Sequence, residues 1–176
     1  EEKRKAIYAD APEKTIFLLS LSKTVNPALR LAYLAVPKRY YQEVDNALYN
    51  INLSQSSLLL ELASRLIVSG QVDALLERRR KGLLLRNQIT DQVLSHYDVL
   101  GDSTSLSRWL RLPYGITGTE FEHIALEHGV FVYGSERFTV GKDAPAGAAR
   151  LAICAPDSIK ALEHGLLILT GLLNSL

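Results

Sequence analysis

Four side chains able to do chemistry, Ser20, Ser22, Lys23 and Arg30, sit in a polar insert between two apolar runs, Ile16 to Leu19 and Leu31 to Val36. Both runs fit buried strands. A lysine leaving a buried strand has its ammonium desolvated, and a nearby arginine further favours the neutral amine. Such an amine is nucleophilic enough to attack a carbonyl and form a Schiff base. Arg30 cannot lose its charge, and its planar fork suits a phosphate dianion, with the Ser20 hydroxyl as an added donor. Together the lysine, serine and arginine suit a phosphorylated aldehyde; taken singly, they would be a surface lysine and an ion-paired arginine.

The elements that must position these residues follow from pattern. Asp10, Pro12 and Glu13 mark a turn into the first strand, and Pro37 closes the second. Lys38 to Asn50 reads as a helix. Ser54 or Ser56 caps the next one, whose Leu58, Leu59, Leu62, Leu66 and Ile67 predict a largely buried helix stopping at Gly70. Gln71 to His96 keeps helical spacing throughout and predicts one long helix. Its run Arg78-Arg79-Arg80-Lys81 spreads around the axis at about 100° per residue, so it forms a solvated surface and not one patch.

Gly101 to Ser105 is the clearest break, so the chain is expected to divide into residues 1–100 and 101–176. Beyond it, Ser107 to Leu112 alternates as a strand, with Trp109 and Arg111 on one face and Leu110 and Leu112 on the other. Thr117 and Glu120 form a capping box for a helix ended by Gly129. Val130 to Tyr133, Phe138 to Val140 and Arg150 to Ala155 read as strands. Gly141 to Gly147 is a flexible connection without the spacing of a phosphate cradle. The last helix puts Ile159, Leu162, Leu166, Leu169 and Leu173 on a core face, and Gly165 within it suggests a close helix contact. Trp109 and Cys154 read as packing residues. Arg150, opening its strand, would hold a guanidinium rigidly where a carboxylate could bind bidentately.

Composition limits the alternatives. The 176 residues carry a net charge of +1 with acids and bases interspersed, so no basic surface argues for nucleic acid. No apolar run approaches the roughly 20 residues that span a bilayer, and the charged start Glu1 to Lys5 lacks a signal-peptide core. The single Cys154 excludes an internal disulfide. A cytoplasmic protein without membrane contact is expected. His96, His123, His128 and His164 share no metal-ligand spacing. The absence of methionine and the position of Lys23 near the start suggest a fragment.

The string Ser20-x-Ser22-Lys23-Thr24-x-x-Pro27-x-Leu29-Arg30-Leu31-x-Tyr33 resembles the pyridoxal-phosphate signature of fold type I aminotransferases. By that resemblance Lys23 carries the cofactor covalently, while Ser20 and Arg30, with Ser22 beside them, bind its phosphate. Ala28 and Ala32 stand where that family usually has glycine. Arg150, just before the final helix, resembles the arginine that binds the α-carboxylate of amino-acid substrates. Residues 105–113, 129–141 and 149–153 are similar to MocR-type regulators, which fuse a GntR-type winged helix-turn-helix to an aminotransferase-like domain. Tyr133 stands where relatives commonly have proline.

The resemblance implies an α/β fold: the end of a large-domain sheet with the lysine and a long interdomain helix (1–100), then a small α+β subdomain (101–176). It implies pyridoxal 5'-phosphate as cofactor, bound weakly or not at all by this stretch alone because the preceding ring contacts are missing. It also implies an amino acid, an amine or the cofactor itself as effector, a homo-oligomer, expected to be a dimer, and DNA contact only through an N-terminal domain outside this chain. The alternatives are an aminotransferase, moving an amino group between an amino acid and a 2-oxo acid with Lys23 as general base, and a partner-binding module with a degenerate site.

Overall fold

The computed structural model describes residues 5–141 and 147–176. Contacts divide the chain into two compact units, Glu1–Arg78 and Arg79–Leu176, with the division inside one continuous helix. Each is α/β in content.

The first unit begins with the short helix α1 (Ile7–Asp10), followed by strand β1 (Phe17–Ser20), a single helical turn α2 (Leu21–Thr24), a 3-10 turn at Pro27–Leu29 and strand β2 (Ala32–Ala35). β1 and β2 pair antiparallel from Phe17↔Ala35 to Ser20↔Ala32. Helices α3 (Tyr41–Asn52), α4 (Ser57–Val68) and the start of α5 (Gln71–Val93) complete the unit. Its core is small. Leu21, Val25, Leu29 and Leu31 from the insert pack with Ala63, and Leu59, Leu66, Val72 and Leu75 surround them.

Two burial expectations fail here. The strands form, but both are exposed, with Leu18 at 64%. Strands that are apolar on both faces suit the interior of a sheet covered on each side, and a two-stranded ribbon supplies no such cover. α4 is likewise largely exposed, with Leu58 at 77%, Ala63 buried and Leu59 and Leu66 half-buried against the core. The long helix does form, from Gln71 to Val93, stopping short of the expected end at His96, and Arg78 to Lys81 are all exposed on it.

In the second unit, the end of α5 leads to strands β3 (Val99–Leu100) and β4 (Arg108–Arg111), helix α6 (Gly118–Glu127), strand β5 (Tyr133–Gly134), a 3-10 turn at Ser135–Phe138, strand β6 (Ala148–Leu151) and helix α7 (Ile159–Ser175). The sheet order is β3-β4-β6-β5, and every pairing is antiparallel. Leu110, Ala149 and Leu151 face a core completed by Phe121, Ala125, Leu162, Leu166, Leu169 and Leu173. The capping box forms as expected, with Thr117 Oγ1 accepting from Glu120 N and Glu120 Oε2 accepting from Thr117 N.

α5 is tied into this unit by polar contacts at its buried side. Arg86 donates to the carbonyls of Ile153 and Pro156, both at 2.9 Å. Arg108, 5% exposed, donates to Asn87 Oδ1 at 3.1 Å and to Asp91 Oδ1 at 2.6 Å.

Several local readings need correction. Of Val130 to Tyr133 only Tyr133 is in a strand, and the strand read at Phe138 to Val140 does not form, Phe138 ending a 3-10 turn instead. The cause is Glu136, whose carboxylate turns back to accept from Gly118 N at 2.9 Å and winds the segment. β6 starts at Ala148 and stops at Leu151, because its length is set by its pairing with β4. A Cβ added at Gly165 would meet nothing within 4 Å, so no close helix contact explains that glycine. Cys154 is exposed, and Trp109 is half-buried on the sheet face opposite the core. The flexible connection read at Gly141 to Gly147 lies mostly outside the described residues, as do Glu1 to Arg4 of the charged start.

Candidate functional site

The β1–β2 ribbon gathers Ser20, Ser22, Lys23 and Arg30 at one end. Ser20 is the last residue of β1 and pairs with Ala32; Leu21 N donates to Leu31 O at 3.0 Å. The insert therefore leaves the ribbon and returns to it at adjacent positions, with Arg30 directly before the return. Two side chains shape the path between. Ser20 Oγ accepts from Ser22 N at 3.2 Å as the cap of the α2 turn, and Asn26 Oδ1 accepts from Ala28 N at 2.8 Å to start the Pro27–Leu29 turn. Leu21, Val25 and Leu29 anchor the insert to the core, and this leaves its polar residues outward.

Arg30 has φ 50 and ψ 34, a left-handed conformation uncommon for a residue with a Cβ. Such strain costs on the order of 1 to 3 kcal/mol and persists only where the surroundings impose it. Here the insert must turn back into β2 within one residue, and Arg30 N closes the turn on Pro27 O at 3.3 Å. Spacing alone carried no signal of this strain.

The expected desolvation of Lys23 is not supplied by the described residues of this unit, because Lys23 is exposed on the α2 turn at the end of an exposed strand. The donor set nevertheless fits a phosphorylated aldehyde. Because Ser20 Oγ accepts from the backbone, its own hydrogen is left to donate outward. Arg30 is exposed and makes no ion pair among the described residues. One guanidinium, one ammonium and the hydroxyls of Ser20 and Ser22 thus lie at one end of one ribbon.

Arg150 belongs to the second unit and lies at the third position of β6. Its Cζ lies 5.5 Å from the Tyr133 ring centroid and 5.4 Å from that of Phe138, and its Nε is sealed from solvent without an acceptor among the described residues. Neither aromatic contact was legible in the sequence. Glu122 organises the neighbouring segment: Arg137 donates to it at 3.0 and 2.5 Å, and Gly134 N at 2.8 Å. The Arg137 side chain, then the Gly134 amide, hold the Glu122 carboxyl below the usual carboxylate range. Among the described residues no group of three or more His, Cys, Asp or Glu could hold a metal ion, and no helix is long and apolar enough to cross a membrane.

Comparison with known proteins places the fold. No family model matches the chain. It is 45% identical over 171 residues to the uncharacterized HTH-type transcriptional regulator YdeF of Bacillus subtilis, covering 97% of the chain and 37% of that protein. A second regulator of the same organism, YhdI, is 25% identical over 129 residues, covering 70% of the chain and 28% of that protein. Among solved structures, an aminotransferase from Mycobacterium tuberculosis superposes with a TM-score of 0.85 at 14% identity, covering 98% of the chain and 45% of that one. LysN, the α-aminoadipate aminotransferase of Thermus thermophilus, solved with N-(5'-phosphopyridoxyl)-L-leucine, gives 0.83 at 23%, covering 96% and 44%. The chain thus spans less than half the length of these relatives. It has part of the fold type I aminotransferase fold, and its homologues in sequence are HTH-type transcriptional regulators.

Proposed function

We propose that this chain is the pyridoxal-phosphate-binding, effector-sensing portion of a MocR-type transcriptional regulator. The observation that carries the reading is the 45% identity to an HTH-type regulator along 97% of a chain whose fold is that of aminotransferases. In this reading residues 1–100 belong to the cofactor-binding domain and residues 101–176 form the small C-terminal subdomain. DNA is contacted by a separate helix-turn-helix segment, and the regulator is a cytoplasmic dimer.

Ser20 and Arg30 would hold the cofactor phosphate, the serine through the hydrogen its capping bond leaves available and the arginine through its charged fork. Ser22 adds a hydroxyl beside them, and Lys23 would hold the cofactor's carbonyl carbon. When bound, pyridoxal phosphate supplies a reactive aldehyde and an electron-withdrawing ring. Arg150 would take the carboxylate of an amino-acid effector. The exposed apolar strands and α4 fit the same reading, since the remainder of a longer chain would cover them.

The test is absorbance of the full-length protein during titration with pyridoxal phosphate. A visible band of bound cofactor should appear, and Lys23→Ala should lose it; an unchanged band in that variant overturns the assignment. Sensing is then read as a change in affinity for the protein's own promoter DNA when the cofactor or an amino acid is added.

A further inference from the structure

The sheet face opposite the core carries a row of side chains that its register dictates. Trp109 of β4 lies directly across from Arg150 of β6, and Arg150 directly across from Tyr133 of β5. Directly paired residues rise from the same face, so the three form one line across three strands. Phe138 closes it, meeting Trp109 edge-on at 5.6 Å and 73° and lying beneath the Arg150 guanidinium. At the other end, Arg137 Cζ lies 5.3 Å from the same Tyr133 ring that Arg150 covers.

The two guanidiniums on that ring differ in one respect. Arg137 is neutralised by Glu122 at 2.5 Å, whereas Arg150 has no carboxylate partner among the described residues, and its Nε is sealed without an acceptor. A half-buried cation with its Nε edge shielded from water lies here against two ring faces, and a cation over aromatic rings keeps its in-plane donors available. The segments bearing the rings are themselves fixed. Gly134, next to Tyr133, donates to Glu122, and Glu136, two residues before Phe138, accepts from Gly118.

We propose that Tyr133 and Phe138 are positioning residues that hold the Arg150 guanidinium for a small carboxylate-bearing ligand, so that the sheet face selects carboxylates over bare amines. This rests on the reading of Arg150 as the carboxylate-binding residue, and it adds the residues that orient it. Tyr133 enters through its ring and not its hydroxyl, because the ring is what the guanidinium covers.

The experiment uses the full-length protein without cofactor, and fluorescence is the readout because Trp109 lies in the row. Propionate and propylamine are titrated while tryptophan fluorescence is followed, with circular dichroism checking the fold of each variant. Propionate should change the emission saturably and propylamine should not. Arg150→Lys should abolish the response, and Tyr133→Leu and Phe138→Leu should each weaken it about 3- to 10-fold, the range of one partly desolvated cation–π contact. Tyr133→Phe should stay within about twofold of wild type. The two leucine variants carry the same expectation, so misfolding of one leaves the other decisive.

A wild-type chain indifferent to propionate, or responding equally to propylamine, overturns the inference. So does a Tyr133→Leu or Phe138→Leu response equal to wild type, or a Tyr133→Phe loss as large as that of leucine. None of these outcomes touches the cofactor band and its dependence on Lys23, so the two readings fail separately.

Discussion

Adding one methyl group at each of two helical glycines should move stability in opposite directions. At Gly118, in the first turn of α6, an ideal Cβ would lie 2.5 Å from Ala148 O, Ser135 N and Glu136 Oε2. Two of those three atoms are backbone, belonging to β6 and to the turn after β5, so relief requires separating α6 from the sheet. Overpacking of this kind costs typically about 1 to 3 kcal/mol, and backbone neighbours put Gly118→Ala at the upper end. At this first helical position alanine recovers at most the interior helix propensity of about 1 kcal/mol, which leaves a net loss of about 2 kcal/mol or more.

At Gly165, in the middle of α7, the added Cβ meets nothing within 4 Å, so only the propensity gain of about 1 kcal/mol remains. Urea unfolding monitored by Trp109 fluorescence would read both variants. A midpoint that falls for Gly118→Ala and rises for Gly165→Ala is expected, with unchanged slope. If Gly118→Ala were neutral, the contact between α6 and the segment carrying Tyr133 would be looser than the structure has it, and the rigidity argued for the Arg150 row would go with it.

Asp91→Asn should destabilise the second unit by about 2 kcal/mol in the same assay, because it strips the counter-charge from an Arg108 side chain that is only 5% exposed. The figure is below that for a fully buried pair because Asp91 itself is 53% exposed, and a loss under about 0.5 kcal/mol would mean the pair is screened like a surface one. Glu122 has its folded pKa lowered by Arg137 and the Gly134 amide, so its contribution is present above the usual carboxylate range and is lost as pH falls through the lowered value. Stability measured from pH 6 downwards should therefore fall more steeply in wild type than in Glu122→Gln; parallel curves would refute that linkage.

The sequence by itself determined the elements whose causes are local. The 3.6-residue period over Gln71 to Val93 and the leucines of α7 needed nothing beyond side-chain spacing, and the Thr117–Glu120 box is a contact between residues three apart. The grouping of Ser20, Ser22, Lys23 and Arg30 was legible for a related reason, since a short insert between two pairing strands must bring its ends together.

What only the tertiary structure decided concerns contacts distant in sequence. That Leu18 and Leu58 are exposed depends on which layers lie over them, and an apolar run reads the same whether covered or bare. The 3-10 turn at Phe138 is wound by Glu136 reaching Gly118, a bond across 18 residues that no local period encodes. The aromatic frame of Arg150 needs the β4-β6-β5 order to bring Trp109, Tyr133 and Phe138 around it, and strand order is settled by the packing of the sheet on α6 and α7.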